Sequence, residues 1–438
     1  MTEHNMPDSG ESDMQNSITG NGFRFTELCS PKFRSCLLTL YFYVHRTPET
    51  APVHALLTDL LTASSSAYPD HAALSLRLES LYAADFSAKL SLCGDDAALV
   101  FTASWLDDRY ALNGEQITAQ MLDLIFGCLL KPNAENGAFC DPAFRICKQN
   151  LLDDIDCVCN DKREYALQQA AALAYRGTPA AMSVHGSRKH AEQITPEQAY
   201  RVWQEILRTS FADIICVTPA PKPGIREAVC GTLNSLSRDA AFFAFDAPVL
   251  RKPEPAVQTE TMPLEQSKLV LVYRYDDIPR AVLAVLCGVL GGISESLLFL
   301  NLREKQGLCY YCVLQNAAFK RTLTIDCGMD ADRADAVRDA ADAQIRALQA
   351  GAFPAEMMRQ AVLQYEYHAA AVQDAPDSKA ASAAAMFRRQ DTRTPEQLAA
   401  EMRQVTREQV AEAAKQLTLD TVFLLRAEDG EEAEHDAG

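Results

Sequence analysis

The pattern of apolar and polar residues predicts the same succession of elements twice along the chain. Residues 36–44 form an apolar run that indicates a buried β-strand, and a turn containing Pro48 leads from it to a helix. Residues 268–290 repeat this order, with Pro279 in the corresponding place. The two halves of the chain therefore begin alike.

Each half also closes in the same way, with a capped helix that leads to a strand. Thr195 and Thr406 are suitable N-cap residues, and Gln198 and Gln409 follow three positions later, as in a capping box. Two correspondences in the same order indicate an internal duplication. The predicted fold class is α+β, with two duplicated domains, each a mainly antiparallel sheet backed by helices.

The length of 438 residues exceeds one ordinary core and favours at least two domains. Residues 248–266 are rich in proline and polar residues, a composition typical of a semi-extended linker. The predicted segments are a disordered acidic tail at 1–22, a domain at 23–230, a linker at 231–266, a second domain at 267–428 and an acidic tail at 429–438.

Charge and hydropathy exclude several classes of function. The net charge of -18 argues against binding to nucleic acid or to an anionic membrane, because both need clustered lysine and arginine. The N-terminus lacks the basic and then apolar pattern of a signal peptide, and the apolar run at 281–290 is too short to span a bilayer. The predicted location is cytoplasmic.

The fourteen cysteines are expected to be reduced thiols in such a protein. Cys309 and Cys312 have the spacing of a redox or zinc pair, but their strand-like sequence predicts that they lie on opposite faces. Cys157 and Cys159 have no obvious partner pair. None of these four cysteines is expected to bind a metal.

The segment 291–311 contains the residues with the clearest functional pattern. Gly291 and Gly292 form a predicted turn before an amphipathic helix, and a second glycine turn leads to a strand. Arg303 and Tyr310 lie seven residues apart across that second turn, so both could face one groove. Arginine offers several donors to a peptide carbonyl, and a tyrosine hydroxyl can stabilise an oxyanion.

With these residues, the chain resembles the insulinase/pitrilysin family of zinc metallopeptidases over roughly residues 25–427. The likeness is to the half-length form similar to the mitochondrial processing peptidase. It implies a metallohydrolase fold like that of LuxS and the processing peptidases. It also implies that Arg303 and Tyr310, with the loop at Gly291 and Gly292, bind the backbone of a peptide substrate.

The resemblance also points to the position of the family's zinc motif, H-x-x-E-H. His54 matches the first histidine, but Leu57 occupies the place of the general base and Thr58 that of the second histidine. Asp154 is the nearest match to the distal carboxylate. Leucine cannot accept a proton and threonine is not a usual zinc ligand, so we expect no zinc and no catalytic residue on this chain. His185 and His190 are predicted to lie in a surface loop.

Family members often divide the work between two similar chains, and this one resembles the partner without a zinc motif. The resemblance implies a non-catalytic, substrate-binding subunit of a heteromeric zinc metallopeptidase, whose sister chain carries H-x-x-E-H and the zinc ion. The alternative is a non-proteolytic scaffold or assembly protein of the same fold. A bacterial subgroup of similar sequences is associated with modification of elongation factor P, and membership of that subgroup stays open. A homodimer in the absence of the sister chain also stays open.

Overall fold

The structure, a computed structural model, describes residues 17–245, 247–250 and 252–428. It consists of two compact units. Of these described residues, the first unit comprises those up to 156 together with 182–245 and 370–392. The second comprises those in 157–181, 247–369 and 393–428. No helix of the described chain is both long and apolar enough to cross a bilayer.

The first unit is built on a six-stranded sheet with the order β1-β2-β8-β3-β5-β4 and has a small separate hairpin. Its strands are β1 Ser17–Gly20, β2 Phe23–Cys29, β3 Ser35–His45, β4 Asp85–Cys93, β5 Asp96–Leu106, the hairpin strands β6 Ala134–Glu135 and β7 Ala138–Phe139, and β8 Ala212–Thr218. Its helices are α1 Ala51–Ala63, α2 His71–Ser80, α3 Ile117–Leu130, α4 Asp141–Cys157, α6 Arg188–Glu192, α7 Pro196–Thr209, α8 Pro223–Ser235 and α12 Pro376–Arg388.

The second unit has a five-stranded sheet with the order β11-β12-β10-β13-β9. Its strands are β9 Ala256–Met262, β10 Ser267–Arg274, β11 Tyr311–Ala317, β12 Thr322–Met329 and β13 Thr418–Ala427. Its helices are α5 Lys162–Ala174, α9 Arg280–Cys287, α10 Ala334–Gln349, α11 Ala355–Val372, α13 Pro395–Gln404 and α14 Arg407–Ala414, with wide π-type turns at Gly288–Gly292 and Phe299–Lys305.

The two sheets have the same topology, which confirms the predicted duplicated α+β architecture. In each, a central strand (β3 or β10) is antiparallel to its neighbours, and the last strand of the unit (β8 or β13) pairs in parallel with an earlier strand (β2 or β9). The first sheet has one additional strand, β1, at its edge. The predicted caps also form: Thr406 and Gln409 make a complete capping box, and the Thr195 hydroxyl accepts from the Gln198 N–H.

The predicted tail at 1–22 and linker at 231–266 need correction. Residues 17–20 form β1, which pairs with β2 through the two-residue loop Asn21–Gly22, a sequence that favours tight hairpins. Residues 256–262 form β9, an edge strand with one exposed face, so its polar composition resembles that of a linker. The rest of the predicted tails, 1–16 and 429–438, lies outside the described residues.

The predicted domain boundaries also differ from the observed units, because one helix from each half of the sequence belongs to the other half's unit. The helix α5 packs on the sheet of the second unit, where Ala166 and Ala170 contact Val270 and Phe423. The helix α12 packs on β3 and β8 of the first unit. Alternate residues of a central strand point to opposite faces, so a sheet that is apolar on both faces needs helices on both.

A buried aspartate lies beneath each of these two helices. In the second unit, Arg163 of α5 forms an ion pair with Asp326 at 2.5 Å, and Asp326 is fully buried. In the first unit, Arg24 pairs with the fully buried Asp213 at 2.8 Å, and Phe387 of α12 stacks on the Arg24 guanidinium at 3.7 Å. Burial raises the pKa of Asp213 to about 6, although Arg24 and a hydrogen bond from Tyr43 lower it.

Because the folded pKa of Asp213 lies above its unfolded value, its contribution to stability is complete below about pH 4 and falls as the pH rises to about 6. The difference in unfolding free energy between the native chain and Asp213→Asn should therefore change by on the order of 3 kcal/mol over this range. Denaturant unfolding at several pH values measures it. The control is Asp374→Asn, which removes only an exposed ion pair with Lys32 and should change the unfolding free energy little at any of these pH values. If the effect of Asp213→Asn on the unfolding free energy were the same at about pH 4 and at about pH 6, the raised pKa of Asp213 would be contradicted.

Candidate functional site

The helix α1 carries His54, Leu57 and Thr58, the three positions that the family resemblance matches to the zinc motif. Thr50 precedes it and Pro52 lies in its first turn, where proline's fixed backbone angle suits a helix. The Leu57 side chain is fully buried in the apolar core. The Thr58 hydroxyl is buried too and donates to the carbonyl oxygen of Ala55 at 2.6 Å. Both side chains thus serve the packing of the helix.

His54 lies in the same helix and is 3% exposed. Burial lowers its pKa to about 3, and the positive charge of Arg46 lowers it further. The ring is therefore neutral at physiological pH. Its Nδ1 atom has no hydrogen-bond partner among the described residues.

Residues 182–186 cover the beginning of α1. The buried Arg46 guanidinium donates to the carbonyl oxygens of Met182 and Ser183. Gly186 has a φ of +72°, and a Cβ atom there would lie 2.5 Å from Cδ of Pro52. The predicted surface loop is therefore packed against the helix, and His185 is half-buried with its Nδ1 enclosed. The glycine that follows His185 is the sequence feature that signals this close approach.

Asp154 lies exposed on α4, close enough to Asp59 of α1 to affect its titration. Burial raises the pKa of Asp59 and the Asp154 charge raises it further, while His185 lowers it. These side chains do not fit a zinc ion. The helix offers one buried imidazole where three protein ligands are needed. Nowhere in the described ranges do three His, Cys, Asp or Glu side chains gather in a way that could hold a metal.

In the second unit, Gly291 and Gly292 end the π-type turns that continue α9. Neither has the positive φ of a glycine turn, so the predicted reason for these glycines needs correction. A Cβ atom on Gly291 would lie 2.7 Å from Cβ of Leu314, and one on Gly292 would lie 3.1 Å from the carbonyl oxygen of Cys287. Gly291 allows the helix end to approach β11 closely, and Gly292 avoids a close contact with the backbone of Cys287.

Arg303 and Tyr310 are both exposed on the segment that follows. The Arg303 side chain is 47% exposed, its guanidinium carbon lies 5.0 Å from the Phe299 ring centroid, and its Nε lies 3.8 Å from the Glu304 carboxylate. Tyr310 is 53% exposed, and its hydroxyl donates to Asp330 at 2.7 Å. That hydrogen bond raises the pKa of Tyr310, so the phenol keeps its proton.

The turn between these two residues is held by side chains that sequence analysis missed. Gly307 has a φ of +58°. Arg333 donates to the carbonyl oxygen of Gly307 at 2.5 Å and lies 3.2 Å from the Asp330 carboxylate. Asp330 thus connects Arg333 to the Tyr310 hydroxyl. No local spacing signals this contact, because Tyr310 comes just before β11 and Asp330 just after β12, and only the pairing of the two strands brings them together.

Comparison with known proteins adds to this geometry. Residues 193–365 match the family model described as "Peptidase M16 inactive domain". The chain is 24% identical over 408 residues to the "Probable inactive metalloprotease YmfF" of Bacillus subtilis (strain 168), which covers 91% of this chain and 94% of that protein. The chain is therefore similar to M16 peptidase homologues of the inactive, half-length form.

Solved structures agree with this M16 fold. A conserved protein from Enterococcus faecalis V583 superposes with a TM-score of 0.87 at 23% identity, over 94% of this chain and 99% of that one. A peptidase M16 inactive domain from Pseudomonas fluorescens superposes with a TM-score of 0.76 at 19% identity, over 94% and 97%. Both likenesses extend through nearly all of each chain, so the fold of each unit is found in these structures.

The packing of this M16-like chain predicts that Gly291→Ala destabilises it. The added methyl group would overlap Leu314, and overpacking of this kind costs about 1–3 kcal/mol of unfolding free energy. Chemical denaturation measures the loss. The matched control is Gly127→Ala in α3, where the new Cβ meets nothing within 4 Å and should stabilise the helix by about 0.5–1 kcal/mol. Equal stability of the two variants would be inconsistent with a packing role for Gly291.

Proposed function

We propose that this chain is a non-catalytic, substrate-binding subunit of a heteromeric zinc metallopeptidase. The observation that supports it most is a contrast in accessibility. His54, Leu57 and Thr58 are buried, whereas Arg303 and Tyr310 are about half exposed. A chain of this kind retains polar groups for a peptide while it lacks the ligands and the general base for hydrolysis.

In this proposal a sister chain carries the H-x-x-E-H motif and the zinc ion, and the assembly is cytoplasmic. The Arg303 guanidinium donates to carbonyl oxygens of the substrate backbone. The Tyr310 hydroxyl exchanges its bond to Asp330 for one to the oxygen that becomes negative during hydrolysis. Its raised pKa favours this role, since only a protonated phenol can donate.

The second candidate is a non-proteolytic scaffold or assembly protein. The packing of residues 182–186 over the helix that holds His54 favours it, because this surface of the first unit is filled by the chain itself. An association with modification of elongation factor P would belong to this candidate. Purification of a tagged chain from its native cell separates the two, through the identity of the co-purifying protein: an H-x-x-E-H sister, another protein or a second copy of the chain.

The purified chain should contain far less than one zinc ion per molecule and should cleave no peptide. The physical reason is that His54 is the single imidazole at the position of the motif and Thr58 donates its hydroxyl to the backbone. Metal analysis by mass spectrometry measures the content, and His54→Ala should leave it unchanged. If the native chain contained about one zinc ion per molecule and His54→Ala contained none, the chain would have a metal site and the proposal would be wrong.

In the complex with its sister chain, Arg303→Ala and Tyr310→Phe should lower kcat/KM for peptide cleavage. Loss of one donor to an oxyanion costs about 10²–10³ in rate, and Tyr310→Phe removes only that hydroxyl. The matched control is Lys305→Ala, two residues from Arg303 and also exposed, which should leave the rate unchanged.

Gel filtration checks that each variant still assembles with the sister chain, so that a lower rate is not caused by loss of the complex. Native rates in both variants would reject the substrate-binding role. A native-cell complex without any zinc-bearing sister would favour the scaffold instead.

A further inference from the structure

Three cysteine thiols converge next to the segment that carries Arg303 and Tyr310. Cys312 of β11 and Cys327 of β12 are directly paired across the two strands, with their Sγ atoms 3.2 Å apart. The Cys309 thiol hydrogen-bonds with both. The prediction that Cys309 and Cys312 lie on opposite faces of one strand is therefore wrong. Cys309 lies before the strand, which begins at Tyr311.

The backbone at this cluster is compatible with a disulfide. Directly opposed residues of antiparallel strands have Cα atoms about 4.5–5.5 Å apart. Disulfides join residues whose Cα atoms are about 4.4–6.8 Å apart. The register that pairs Cys312 with Cys327 thus permits a covalent bond without moving the strands. A metal is a poorer explanation, because no metal-holding group of side chains occurs in the part of the chain that the structure describes.

Charge within the cluster distinguishes Cys309 from its neighbours. Hydrogen bonds from the thiols of Cys312 and Cys327 lower the pKa of Cys309, and the positive charge of Arg303 lowers it further. The same interactions raise the pKa of the two donors. Elsewhere burial raises the pKa of cysteines such as Cys147 to about 12. A stabilised thiolate is the nucleophilic form of cysteine.

We propose that Cys309, Cys312 and Cys327 form a peroxide-reactive modification site that oxidises to a disulfide within the cluster. The Cys309 sulfur attacks one oxygen of a hydroperoxide such as H₂O₂; an S–O bond forms, the O–O bond breaks, and the departing hydroxide takes a proton to become water. Cys312 or Cys327 then attacks the sulfenic sulfur and releases a second water. The two thiols lose two electrons and the peroxide gains them.

Accessibility limits the oxidant to a small one. Cys309 is 6% exposed and Cys312 is half-buried, so H₂O₂ reaches sulfur where a bulky reagent does not. Cys157 and Cys159 are exposed and provide an internal comparison in the same molecule. This inference does not depend on the proposed function, because oxidation is measured on the isolated chain.

The test treats the reduced full-length chain with H₂O₂, blocks remaining thiols with N-ethylmaleimide and maps the digested peptides by mass spectrometry. The expected result is a cross-link between two of the three cluster cysteines, with the loss of two hydrogen atoms, reversed by dithiothreitol. Complete reduction of the cluster while Cys157 and Cys159 oxidise would overturn the proposal. So would zinc or copper bound in a stoichiometric amount and lost on Cys309→Ser.

Variants identify the attacking thiol. Cys309→Ser should slow oxidation of the cluster at least ~10-fold, because it removes the stabilised thiolate. The double variant of Cys312→Ser and Cys327→Ser should trap a sulfenic acid on Cys309 that dimedone labels. The matched control, Cys157→Ser with Cys159→Ser, should leave the rate unchanged, and circular dichroism checks each fold. Oxidation of Cys312 and Cys327 at the native rate in Cys309→Ser would contradict the assignment.

Discussion

Burial of each sheet on both faces is the constraint on which the rest of the structure depends. In the second unit, Leu269 and Leu271 of the central strand pack toward one group of helices, while Val270 and Val272 pack against α5. The helix for that second face comes from the other half of the sequence, as does α12 in the first unit. Neither half of the sequence alone would cover both faces of its sheet. Each unit therefore depends on a helix from the other half.

The two units differ in which of their polar side chains are accessible. In the first, the helix after the central strand is packed on all sides, and the single imidazole of His54 is enclosed and neutral. In the second, Gly291 lets the helix end approach β11, and the segment beyond it carries exposed donors at Arg303 and Tyr310. Zinc-dependent hydrolysis at His54 would require further metal ligands and a path for the substrate to the buried ring. Arg303 and Tyr310 can contact a ligand as they stand.

The sequence predicted the repeated elements and their caps because these depend on local periodicity and on neighbours three or four residues apart. The exchange of α5 and α12 was not predictable in this way, since the alanine spacing in α5 is the same whichever sheet it contacts. The strand β9 was missed because an edge strand with one polar face resembles a linker in composition. Two contacts near the site depend on the register of β11 and β12, which composition does not encode. They are the hydrogen bond from Tyr310 to Asp330 and the contact between the Cys309 and Cys327 thiols.

In the proposed substrate-binding role, the exposed donors of the second unit already have partners that a peptide must replace. The Tyr310 hydroxyl donates to Asp330. The Arg303 guanidinium lies near the Glu304 carboxylate, and its charge lowers the pKa of the Cys309 thiol. A net hydrogen bond contributes only about 0.5–1.5 kcal/mol, so exchanging an internal partner for a peptide carbonyl changes the binding free energy little. These residues can therefore orient a backbone without selecting its sequence. Selectivity would have to come from side-chain pockets elsewhere.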